Sequence, residues 1–116
     1  MFGWLTSWFQ SEPISPELKK EIESTINSQK IVVYSKTYCP YCTATKDLLS
    51  SAGHLQNAKI IELNTDPKGS AIQNALQEIT GQRTVPNIFI NGQHIGGNSD
   101  IQKLKQENKL EKLLEQ

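Results

Sequence analysis

The chain has 116 residues, twelve basic and twelve acidic side chains, and no formal net charge. This length fits one domain with one modest core, and the charge balance leaves no basic field to draw nucleic acid. No apolar run approaches the ~20 residues of a membrane span, and the only two cysteines form one C-x-x-C pair, which suits a reducing compartment better than a disulfide-built scaffold.

Residues 1–9 carry no charge and contain Phe2, Trp4, Leu5, Trp8 and Phe9. They lack the basic start and the length of a signal peptide. Residues 1–14 are read as an N-terminal tail, since chain ends are commonly loose. An interfacial anchor or a partner contact is the sharper alternative, weakened by the missing Lys and Arg. Ser15-Pro16-Glu17 then has the cap, proline and acid of a helix start. Ile14, Leu18, Ile22 and Ile26 recur every four residues, so one apolar stripe should run to about Ser28.

Ile31-Val32-Val33-Tyr34 is apolar without alternation, as in a strand covered on both faces. Ala44, Leu48, Leu49 and Ala52 give the following helix its core face, and Gly53 stops it. Lys59-Ile60-Ile61-Glu62-Leu63 reads as a second strand. The helix between them allows a right-handed crossover, so the two strands should be parallel. Asp66-Pro67 is expected to open another helix, with Ile72, Ala75, Leu76 and Ile79 inward and Gly81 at its end. Asn91-Gly92, between Asn87-Ile88-Phe89-Ile90 and Gln93-His94-Ile95, predicts a hairpin. Ser99 with Gln102 has the spacing of a capping box. Ile101, Leu104, Leu110, Leu113 and Leu114 supply one or two closing helices, with a break near Asn108.

The chemistry concentrates in Lys36-Thr37-Tyr38-Cys39-Pro40-Tyr41-Cys42, between the first strand and its helix. With Cys39 as N-cap and Pro40 as first helical residue, the Cys39 sulfur lies beside the unpaired N–H groups of the first turn. A thiolate is favoured there, at the positive end of the helix dipole and near the Lys36 cation. Cys42 follows one turn in, on the same face, more buried and more often protonated. One sulfur is placed to attack and the other to close a short disulfide behind it. A zinc site would need two further ligands; His54 and His94 lie too far apart in sequence for the usual spacing, so no metal is assigned. A structural disulfide would close too small a loop to stabilise much.

Cys39-Pro40-Tyr41-Cys42, Thr84-Val85-Pro86 and Gly96-Gly97-Asn98-Ser99-Asp100, at this mutual spacing, resemble the motifs of the dithiol glutaredoxins over residues 15–116. The resemblance implies a thioredoxin-like α/β fold: a central mixed four-stranded sheet with helices on both faces. It implies a glutathione-dependent oxidoreductase that reduces protein–glutathione mixed disulfides and protein disulfides, with Cys39 and Cys42 as the catalytic pair. Glutathione is then a co-substrate, with no permanently bound cofactor. A cis Val85–Pro86 bond is implied beside the sulfurs, with the Val85 backbone pairing the cysteinyl part of glutathione and Thr84 bordering it. Lys36 and Gln82 would face the glycine carboxylate, Gly97, Asn98, Ser99 and Asp100 would take the γ-glutamyl end, and Tyr41 would pack against the ligand. A helix start at Asn98, Ser99 and Asp100 gives the last assignment its own reason, because free N–H groups there suit a carboxylate. The expected partners are glutathione and glutathionylated proteins. A monomer in the cytoplasm is expected, with mitochondrial or membrane-surface pools as alternatives. Two rival readings remain at this point. One is a dimer holding an iron–sulfur cluster through Cys39 and two glutathiones, against which the stiff Pro40 weighs. The other is a dithiol donor dedicated to a single reductase.

Overall fold

The structure is a computed structural model and describes residues 14–116; the expected tail lies outside them except for Ile14. The first helix, α1 (Pro16–Ile26), opens as its sequence suggests: the Ser15 hydroxyl accepts the Leu18 N–H at 3.1 Å, and Pro16 follows the cap. Ile22 and Ile26 are buried, with Ile14 and Leu18 packed beside them. The helix stops two residues before the expected Ser28. Asn27 and Ser28 turn their side chains back onto the carbonyls of Glu23 and Thr25.

Strand β1 (Ile31–Ser35) is the inner strand that carries the reactive loop, and all five of its residues are buried. It pairs in parallel with β2 (Ala58–Glu62) and antiparallel with β3 (Asn87–Ile90), which pairs antiparallel with β4 (Gln93–Gly96). The order β2-β1-β3-β4 is the mixed four-stranded sheet expected. The β3–β4 turn puts Asn91 at φ 53° and Gly92 at φ 77°, as a two-residue hairpin demands.

Alternate residues of β1 and β3 feed two cores. On one face Val32, Tyr34 and Phe89 meet Ile22 and Ile26 of α1 and Ile72, Ala75 and Leu76 of α3 (Gly69–Thr80). On the other, Ile31, Val33, Ile88 and Ile90 meet Leu48 and Leu49 of α2 (Pro40–Ser51), Ile101 of α4 (Asn98–Gln106), and Leu110 and Leu114 of α5 (Leu110–Leu114). Asn108, at φ 58°, makes the break between the last two helices. The two-sided burial is why β1 reads as an unbroken apolar run.

Helix α3 does not open at Asp66-Pro67. Asp66 instead makes its own turn: Oδ1 accepts the Lys68 N–H at 2.8 Å and its carbonyl accepts the Gly69 N–H at 2.9 Å. The helix begins only at Gly69, which is pressed against the backbone of Leu63; an added Cβ would lie 1.7 Å from the Leu63 carbonyl oxygen. Gly69→Ala is therefore expected to cost about 3 kcal/mol, the upper end of the usual range for overpacking. The check is urea unfolding, where the midpoint should fall at unchanged slope. An unchanged midpoint would mean that the helix start moves off Leu63 without cost.

Candidate active site

The site lies at the carboxyl end of β1, where the chain turns into α2. Three hydrogen bonds shape this turn, one within it and a pair reaching across to Asn64. The Cys39 N–H donates to the Lys36 carbonyl at 3.1 Å, and Thr37 and Asn64 bond reciprocally, Thr37 N–H to Asn64 Oδ1 at 3.0 Å and Asn64 Nδ2 to Thr37 Oγ1 at 2.7 Å. That pair ties the reactive loop to the segment between β2 and α3.

Cys39 is the N-cap of α2, with extended φ −88° and ψ 117°, and Pro40 is the first helical residue. The Cys39 Sγ accepts the Cys42 N–H at 3.3 Å, so the sulfur occupies the place that a Ser or Asp oxygen takes at other helix starts. The positive end of the helix dipole thus bears on this sulfur. Cys39 is half-buried, Cys42 fully buried, and both are free thiols. Burial, and secondarily a hydrogen bond with Cys39, push the Cys42 thiol up to about 11, against the lowering effect of the Lys36 backbone and the Ser35 hydroxyl. The two sulfurs therefore stand in unlike environments: one semi-exposed and facing amides, one sealed and protonated at neutral pH.

The Cys39 thiol donates to the Val85 carbonyl at 3.7 Å, which brings the second motif against the first. The Val85–Pro86 bond is cis. Its loop is braced by Gln82, whose Nε2 donates to the carbonyls of Thr84 at 3.1 Å and Pro86 at 3.0 Å. Both amide hydrogens expected to face a glycine carboxylate are thus committed to the loop itself. Gln82 is held in turn by the Thr80 hydroxyl, which accepts its N–H at 3.0 Å. Behind Pro86, buried Asn87 meets His94 Nε2 at 2.8 Å. Burial lowers the His94 pKa, against the pull of the Asp100 carboxylate.

The third motif forms the start of α4. Its cap residue is Gly97, and Asp100 Oδ2 reaches back to accept the Gly97 N–H at 2.8 Å. The expected Ser99–Gln102 capping box does not form, because the helix already includes Asn98 and Gln102 Nε2 goes to Asn98 Oδ1 instead. Gly96, at φ +122°, has room for no side chain, since a Cβ there would lie 2.3 Å from Asp100 Oδ2. Its bareness serves the cap. The N–H groups of Asn98, Ser99 and Asp100 precede the first intrahelical bond, from Ile101 N–H to the Gly97 carbonyl at 3.2 Å.

Between these segments lies a cavity of about 460 Å³, a size that fits a small-molecule ligand. Thr84, Val85 and Pro86 form one wall, Gly97, Asn98 and Ser99 the other, and Tyr41 closes an end. Seven of the sequence-predicted residues therefore meet at one groove beside Cys39. Lys36 and Asp100 are outside its lining; Lys36 is half-buried in the reactive loop and Asp100 is exposed. Tyr38 and Tyr41 are both strongly exposed. Sequence reasoning missed Asn64 and Thr45. Their partners are 27 and 53 residues away, and no local pattern marks them.

A dithiol at a helix start after a parallel strand, facing a cis-proline loop, defines a thioredoxin-like thiol–disulfide oxidoreductase. The glutaredoxin family model matches residues 31–95. Glutaredoxin-1 of Saccharomyces cerevisiae is 48% identical over 104 residues, covering 88% of this chain and 94% of its own length. Glutaredoxin-C2 of Arabidopsis thaliana is 48% identical over 95 residues, covering 82% and 84%. The crystal structure of a buckwheat glutaredoxin–glutathione complex superposes with a TM-score of 0.79 at 41% identity, covering 86% of this chain and 93% of that one. The chain belongs to the glutaredoxin family, and with it to the glutathione-dependent thiol–disulfide oxidoreductases.

The unlike environments of the sulfurs give a direct expectation. Iodoacetamide at pH 7 should alkylate Cys39 and leave Cys42 unmodified in the folded, reduced protein. Peptide mapping by mass spectrometry reads the ratio. Comparable labelling of both would show that Cys42 is not sealed.

Proposed function

We propose that this chain removes glutathione from glutathionylated proteins, with Cys39 as nucleophile and the groove as the seat of the glutathione moiety. The observation that carries the reading is the contact of Cys39 with Val85, at the wall of a groove that ends on the free N–H groups of a second helix. Glutathione has a thiol in its middle and a carboxylate at each end, and the groove offers a match for that layout.

In this reading the Val85 backbone pairs the cysteinyl peptide. The Ser99 and Asp100 N–H groups take the γ-glutamyl carboxylate. Asp100 Oδ1, left over from the cap, meets the ammonium. Lys36 supplies the cation for the glycine carboxylate, Thr84 and Tyr41 border the tripeptide, and Gln82 acts by shaping the loop. The buckwheat glutaredoxin–glutathione complex supports this seat through its 41% identity and close superposition.

The Cys39 thiolate attacks the glutathione sulfur of the mixed disulfide. A Cys39–glutathione disulfide forms, and the protein thiolate leaves and takes a proton from water. The thiolate of a second glutathione then attacks that disulfide at the bound glutathione sulfur, releasing glutathione disulfide and the Cys39 thiolate. In the dithiol branch Cys42 loses its proton and attacks Cys39, expelling glutathione and closing a Cys39–Cys42 disulfide, which two glutathiones later reduce. The same branch serves protein disulfides. Glutathione is spent as co-substrate, and no second chain is needed to complete the groove, so the protein works as a monomer. Two free thiols that must be returned to the reduced state suit the cytoplasm. Among the described residues no helix is long and apolar enough to cross a membrane.

Cys39→Ser should abolish glutathione-dependent reduction of a small mixed disulfide, whereas Cys42→Ser should hold it within about threefold and lose the reduction of protein disulfides. A coupled assay following oxidation of the glutathione reductase cofactor measures both. Equal loss in the two variants would contradict the roles given to the sulfurs.

A further inference from the structure

Thr45 lies one turn beyond Cys42 on α2, and it is a threonine with no solvent exposure. A buried hydroxyl needs a partner. Thr45 Oγ1 finds it across the helix pair, donating to Asn98 Oδ1 at 3.0 Å. Gln102 Nε2 donates to the same oxygen at 3.2 Å. Asn98 is the first helical residue of α4 and lines the groove. Its carboxamide has one acceptor and one donor end. The acceptor end is taken twice by the protein, and the Nδ2 end has no partner among the described residues.

We propose that Thr45, assisted by Gln102, sets the orientation of the Asn98 carboxamide so that its amino group is offered to the γ-glutamyl carboxylate of glutathione. Thr45 is then a positioning residue, and it joins the helix that bears the sulfurs to the helix that receives the far end of the ligand. The inference rests on the glutathione reading of the groove. Without the Thr45 hydroxyl, the carboxamide loses its anchor on α2 and is held by Gln102 alone, free to turn over. The flipped amide would present an oxygen to a carboxylate, which repels it.

The test compares two peptide mixed disulfides, one with glutathione and one with cysteinylglycine, which lacks the γ-glutamyl group. Thr45→Val keeps the side-chain shape and removes the hydroxyl. It should raise KM for the glutathione disulfide about fivefold, the worth of one hydrogen bond, with kcat held within about twofold. It should leave KM for the cysteinylglycine disulfide unchanged. Thr45→Ser should behave as the unaltered chain does. Gln102→Leu, at a half-buried position, should shift the glutathione KM in the same direction. The proposal is overturned if Thr45→Val leaves the glutathione KM unaltered, if it raises both KM values equally, or if Thr45→Ser fails to restore. An unaltered chain that handles both disulfides with one KM would overturn the glutathione reading of the groove, and this inference with it.

Discussion

The rest of the structure depends on the hydrogen bond from the Cys42 N–H to the Cys39 sulfur. It makes a cysteine the cap of α2, and so places a nucleophile where backbone amides are unpaired and a helix dipole is positive. The same turn of helix that exposes one sulfur buries the other. α2 is held there by Leu48 and Leu49 packing on Val33 and Ile88, residues of the two inner strands. The difference between the sulfurs is thus anchored in the core rather than in a mobile loop.

Around that sulfur stand the reactive loop, the cis-proline loop and the start of α4, and three side-chain amides hold these segments in place. Asn64 fixes the reactive loop through Thr37, Gln82 bridges two carbonyls of the cis-proline loop, and Asn98 ties the start of α4 to α2. An amide carries donor and acceptor together, so it can satisfy backbone groups on segments that lack a sheet or helix ladder. Sites that bind a flexible peptide gain from such fixed walls, because ordering is then required of the ligand alone.

The parts legible in the sequence are those with local causes. Ser15-Pro16 and Cys39-Pro40 each mark a helix start because cap and proline act within one turn. The unbroken run in β1 betrays burial on both faces, and Asn91-Gly92 names its own turn. Asp66-Pro67 misled because an aspartate can cap a tight turn as readily as a helix, and the choice was made by the fit of Gly69 onto Leu63. Ser99 and Gln102 have capping-box spacing, yet Asp100 captures the cap because bare Gly96 leaves it room. Thr45 and Asn64 were invisible because their partners come from other elements. Gln82 was singled out through resemblance alone, and Lys36 and Asp100, which also had local reasons, lie with it outside the lining of the groove.

The most direct measurement is a crystal structure of the Cys42→Ser protein with glutathione disulfide-bonded to Cys39. The account predicts that the tripeptide lies in the groove, its cysteinyl amide against the Val85 backbone and its γ-glutamyl carboxylate at the first N–H groups of α4. A tripeptide extended over Tyr38, away from Pro86 and α4, would contradict it.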